Sequence, residues 1–139
     1  MNRYTRLMVF SWTGIFGSVI TALFGGWSSD MTTLVLFMGA DFLTGLTAAA
    51  FCKSSKTESG GLSSKVVWLG LCKKLATLLM VAVAHRIDLA LGVAYIRSAA
   101  AIAFIVSEAL SIVENAGALG VPLPKVVEEA IDLLKKRGE

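Results

Sequence analysis

Cysteine, histidine and proline are scarce in this chain of 139 residues, which holds two cysteines, one histidine and two prolines. Cys52 and Cys72 show neither metal-ligand spacing nor a disulfide framework, so both read as reduced residues at or within apolar segments. A single His85 has no second histidine with which to form a catalytic or metal-binding pair. No phosphate-binding glycine loop, metal cluster or Ser-His-Asp constellation is present, so the sequence gives no sign of an enzyme, a metal or another cofactor. Clusters of basic and aromatic residues suited to nucleic acid are also missing. Charge is scarce in long stretches: residues 7–29 carry none, and residues 31–52 carry only Asp41.

What is abundant is apolar sequence. The chain is 55% hydrophobic, with a mean hydropathy of +0.73, which points to an integral membrane protein. At about 20 residues per crossing there is room for three or four helices and no second domain. The expected architecture is all-α, with four transmembrane helices (three being the alternative) at about 7–27, 31–52, 70–95 and 98–118. Residues 1–124 then form one membrane domain. Residues 125–139 form a short cytoplasmic amphipathic helix, with Val127, Ile131 and Leu134 on one face and its acids ahead of its bases. The uncharged first block is longer than a signal-peptide core and is expected to remain as a helix.

Basic residues set the orientation. Arg3 and Arg6 precede the first block, Lys53, Lys56 and Lys65 lie between the second and third, and Lys125, Lys135, Lys136 and Arg137 follow the last. The link at 28–30 has no base. Both termini and the 53–65 loop are therefore expected in the cytoplasm.

Within the blocks, Gly14, Ser18, Ala22 and Gly26 recur every four residues, a groove where another helix can approach closely. Asp41 falls near the middle of its block, with Thr44 and Gly45 one turn on. At the bilayer midplane an ionised carboxylate costs on the order of 2.5–3.5 kcal/mol. Lys73 and Lys74 are expected to snorkel to the cytoplasmic surface. That leaves Arg86 as the deep base, with His85 and Asp88 sharing the next face. In the fourth block Glu108, Ser111 and Asn115 form one polar stripe, widened by Glu114. So many ionisable groups are too many for a passive lipid-facing bundle. These groups are the candidates for pore-lining or helix-packing roles.

The segments "DFLTGL" (41–46), "LSSK" (62–65), "GLCKKL" (70–75), Asp88 and "YIRSAAAIAFIVSEALSIVENAGALGVPLP" (95–124) occur in that order. Together they resemble the toxin-secretion/phage-lysis holin family, also called phage holin family 4. Val67 and Ser107 depart from that pattern, standing where glycine and asparagine are common. The resemblance implies a phage or prophage protein of the host's cytoplasmic membrane that forms homo-oligomers. Such oligomers open timed lesions through which an endolysin, or in some relatives a toxin, reaches the cell wall. On this reading Asp41 is neutral or hydrogen-bonded against another helix before triggering and hydrated afterwards. The rival expectations are a small proton- or cation-coupled transporter using Asp41 and Glu108, and a regulatory antiholin.

Overall fold

The computed structural model describes residues 2–129 and 133. Four helices follow one another: α1 (Arg3–Phe24), α2 (Ser29–Ala50), α3 (Ser64–Leu91) and α4 (Ile96–Ala118). No strand occurs among the described residues. Residues 125–129 are helical. The remainder of the expected C-terminal amphipathic helix lies outside the described residues.

Glycines punctuate the helices. Gly25 follows α1 in the left-handed region, φ 72°, and its N–H donates to the Thr21 carbonyl. Gly92 ends α3 in the same way, φ 67°. The helix predicted over 70–95 therefore lies further back: it starts at Ser64 and stops before Gly92. At the N terminus of α2, the Asp30 carboxylate accepts from the Ser28 hydroxyl and from the Met31 N–H. A carboxylate there also suits the positive end of the helix dipole.

α2 and α4 make the most extensive pair, α3 packs next against α4, and α1 leans chiefly on α3. Small residues let α2 and α4 approach. Ala48 and Ala49 are buried, and a Cβ at Gly45 would lie 3.3 Å from Nδ2 of Asn115. A compact apolar core joins Met31, Leu34 and Met38 of α2 to Val81 of α3 and Ala101 of α4, with Phe24, Leu78, Phe104 and Ile105 around it.

Outside that core the surface is apolar. Trp12, Phe16, Leu36, Leu43, Trp68, Leu75, Leu79, Leu89 and Ile102 are all exposed, an arrangement that lipid, not water, solvates favourably. α2, α3 and α4 are each long and apolar enough to cross a membrane. In α1 the described apolar stretch, Ser11–Phe24, is shorter than a crossing. The fourth block, with its polar stripe, is thus one of the three spans that length and composition support.

Candidate functional site: an ionic cluster inside the bundle

Asp41 lies nine residues from the end of α2, Lys74 ten from the start of α3, and Glu108 ten from the end of α4. At about 1.5 Å per residue, each is about 13–15 Å from the same end of the bundle. Three helices therefore bring one charge each to a common level. The Lys74 ammonium donates to Oδ2 of Asp41 at 2.8 Å and to Oε2 of Glu108 at 2.6 Å. The side chains of Lys74, Asp41 and Glu108 are 15%, 10% and 13% exposed, so these pairs are well shielded.

The other Asp41 oxygen faces α4. Asn115, itself buried, donates from Nδ2 to Oδ1 of Asp41 at 3.1 Å and to the Thr44 hydroxyl at 3.2 Å. The Thr44 hydroxyl in turn donates to the Ala40 carbonyl at 2.9 Å. Lys56, from the loop joining α2 and α3, places Nζ 3.8 Å from Oδ1 of Asp41. The same ammonium donates to the Ser111 hydroxyl at 3.2 Å. Two carboxylates are thus met by two ammonium groups, which supplies the compensation that an isolated buried charge requires. A cleft of about 490 Å³ opens beside the cluster, with Thr77, Phe104 and Ser107 among its walls.

A second polar group sits at the opposite end of the bundle. The Asp88 carboxylate accepts the N–H groups of Ile96 and Arg97, both at 2.9 Å. It thereby caps α4 from α3, satisfying donors that have no partner within their own helix. Arg97 donates to the Phe24 carbonyl at 2.7 Å and lies 3.6 Å from Oδ2 of Asp30. His85 packs against the α1–α2 link, where a Cβ at Gly25 would lie 2.5 Å from its Cε1.

The candidates from sequence thus divide. Asp41, Thr44, Gly45, Glu108, Ser111 and Asn115 meet in the mid-bundle cluster, while His85 and Asp88 belong to the opposite end. Glu114 is exposed. Arg86 is exposed too, and no ion pair among the described residues involves it. Arg86, expected as the deep base, is therefore not that: the base at the level of Asp41 and Glu108 is Lys74. Residue 86 lies a little over half a turn from Asp88, which turns its side chain away from α4. Lys74, expected at the surface, instead points inward toward α4. The available signal was its spacing: Lys74 and Val81 are seven residues apart and share the face of α3 that Val81 buries. Gly14, Ser18 and Ala22 are exposed along α1, and Gly26 is half-buried in the link.

A helical bundle with an apolar exterior and an ionic cluster among its spans defines the class: a multi-pass membrane protein. Within that class, the chain belongs to the bacteriophage holin family, which it matches over residues 18–136. This is not an enzyme family. Among its relatives is an uncharacterised protein of Halalkalibacterium halodurans, 35% identical over 87% of this chain and 89% of that one. One from Listeria innocua is 38% identical over 84% of this chain and 79% of its own length. In Clostridium perfringens an uncharacterised 14.9 kDa protein in the nagH 3′ region is 34% identical over 87% of this chain and 88% of its own. No solved structure matches.

Proposed function

We propose that this chain is a working holin. It accumulates in the host's cytoplasmic membrane, assembles into homo-oligomers, and at a set time forms lesions that pass an endolysin, or a toxin, to the cell wall. Family membership over most of the chain is the observation that carries this reading. The cluster of Asp41, Lys74 and Glu108 supports it: charges kept inside a membrane bundle cost stability and are retained where they act. In the closed subunit the carboxylates face ammonium groups and Asn115. In an open assembly the same faces of α2 and α4 would line water. The ladder of Gly14, Ser18 and Ala22 gives α1, as a fourth crossing, a face for a neighbouring subunit.

A turbidity time course in bacteria tests the reading, with this chain induced beside a cytoplasmic endolysin that has no signal sequence. Sudden lysis after a delay, and only with both proteins present, is the expected result. Depolarisation and death without lysis would mean a pore too small for an enzyme. Continued growth with confirmed membrane expression would shift the assignment to an antiholin. Saturable, substrate-specific flux through an intact membrane would instead mark a coupled transporter.

A further inference from the structure

The loop of residues 51–63 is more than a connection. It folds back on itself: the Ser54 N–H donates to the Gly60 carbonyl at 3.0 Å, and the Thr57 hydroxyl to the Gly61 carbonyl at 2.9 Å. Gly60 adopts φ +70°, and a Cβ there would lie 2.3 Å from the Cys52 carbonyl oxygen, so the return is closed too tightly for any side chain. This compact fold carries Lys56 inward, where it bridges Asp41 of α2 and Ser111 of α4.

Two cavities meet there. One of about 80 Å³ lies beneath the loop and is lined by Ser54, Thr57, Gly61 and Ser63. The other is the 490 Å³ cleft beside the cluster. Asp41, Lys56, Val66, Gly70 and Lys74 line both, and so form the partition between them. Of the five, Lys56 is the one outside the membrane helices, and its side chain is 46% exposed. A partly exposed pair of this kind contributes little stability and is readily undone. Its departure changes the charge balance: Asp41 and Glu108 remain against Lys74 alone, one net negative charge inside the bundle. An uncompensated charge there is costly until water reaches it.

We propose that residues 51–63 form a strap, with the Lys56 ammonium as its plug, and that withdrawal of the plug joins the two cavities and hydrates the Asp41–Lys74–Glu108 cluster. The strap is defined by this geometry alone. Only its consequence, an earlier lysis time when the plug is lost, rests on the holin reading. The deciding experiment therefore measures water access and not lysis.

The full chain is expressed with Cys52→Ser and Cys72→Ser, and Thr77→Cys is placed in the large cleft as the reporter. A charged maleimide is applied to inverted vesicles and, separately, to spheroplasts, so that either orientation can be read. With Lys56 intact, labelling of Cys at 77 is expected to be slow, since Thr77 is half-buried in the cleft. Lys56→Gln is expected to raise its rate about two- to fivefold, the range that a partly exposed ion pair supports. Lys56→Arg should keep the slow rate. Gly60→Val, which breaks the return of the strap without touching the charge, should give the fast one. Adding Asp41→Asn to Lys56→Gln removes the uncompensated charge and should bring the rate back down. A Ser55→Cys reporter in the exposed loop, labelled equally in every background, shows that each variant is inserted in the same orientation. The return to the slow rate in the Asp41→Asn, Lys56→Gln pair separates a gated cleft from an unfolded chain. If Lys56→Gln and Gly60→Val label Cys at 77 no faster than the parent, the strap does not gate the cleft. This result would leave the holin reading intact, because lysis is scored separately.

Discussion

Lys74 and Lys56 approach the same carboxylate from different environments, and the difference sets what each contributes. Lys74 is shielded and holds two acids at hydrogen-bond distance. Removing it leaves Asp41 and Glu108 facing each other, a buried imbalance worth about 3–5 kcal/mol. Lys74→Met should therefore lower the thermal midpoint of the detergent-solubilised protein markedly and reduce its yield. Lys74→Arg, which keeps the charge, should cost much less. Lys56→Met should shift the midpoint little, since a half-exposed pair contributes about 0–1 kcal/mol. Equal losses for Lys74→Met and Lys56→Met would contradict the assigned burial. The sequence marks Asp41 as needing compensation, and hydrogen bonding to another helix is the expected form of it, with Lys74 placed at the surface. The need follows from one residue and its depth, whereas the partner depends on which faces of α2, α3 and α4 meet. An inward lysine and a snorkelling one look alike in a sequence.

At the scale of elements, α4 is held at both ends by side chains from other helices. At its N terminus the Asp88 carboxylate takes two backbone N–H groups. Asp88→Ala leaves both donors without that acceptor, and should loosen α4 in hydrogen exchange from residue 96 onward. Arg86→Gln, two residues away on an exposed face, should leave the same amides protected. Toward its C-terminal end α4 depends on Gly45. A Cβ there would already be 3.3 Å from Nδ2 of Asn115, so Gly45→Ala demands a small adjustment. Gly45→Leu must push the helices apart and separate Asn115 from Asp41. The expected readout is a large loss of folded protein for leucine and a small one for alanine. Helix existence was legible because blocks of uncharged residues near 20 in length have one economical solution in a membrane. The polar stripe of Glu108, Ser111 and Asn115 was legible from its period. The start of α3 at Ser64 was not, because residues 62–69 mix the serines and lysine of a loop with valine, leucine and tryptophan.

For the whole molecule, the arrangement of charge between the two ends decides orientation. One end carries Lys53, Lys56 and Lys65 in or beside the 51–63 loop. At the other end the bases are Arg86 and Arg97, and Arg97 is held by Asp30 and the Phe24 carbonyl. Free positive charge therefore concentrates on the loop side, which should face the cytoplasm. With α2, α3 and α4 as spans, the end of α4 lies on that side too, so a C-terminal fluorescent fusion should be active in the cytoplasm. If α1 also crosses, the N terminus joins it there. A cysteine reporter at Asn2 should then resist an impermeant maleimide in intact cells, while Trp27→Cys in the α1–α2 link is labelled. Labelling at residue 2 in intact cells would show that α1 lies on the outer surface and that the bundle has three spans.

On the proposed holin reading, orientation in turn sets what the mid-bundle charges do. With the loop side in the cytoplasm, a cluster about 13–15 Å from that end would be wetted from there first, before water crosses the remaining apolar layer of Met31, Leu34, Met38 and Val81. Asp41→Asn keeps the hydrogen bond from Asn115 and removes the negative charge. It leaves Lys74 paired with Glu108 alone and makes hydration of the α2–α4 face less favourable. Lysis in the endolysin co-expression assay should then be delayed relative to the parent at equal membrane levels. Asp41→Glu, which preserves the charge on a longer arm, should trigger closer to the parental time. Identical timing for Asp41→Asn and the parent would sink the assignment of Asp41 to the opening step. The carboxylate would then serve only to hold Lys74 and Asn115 in the closed bundle.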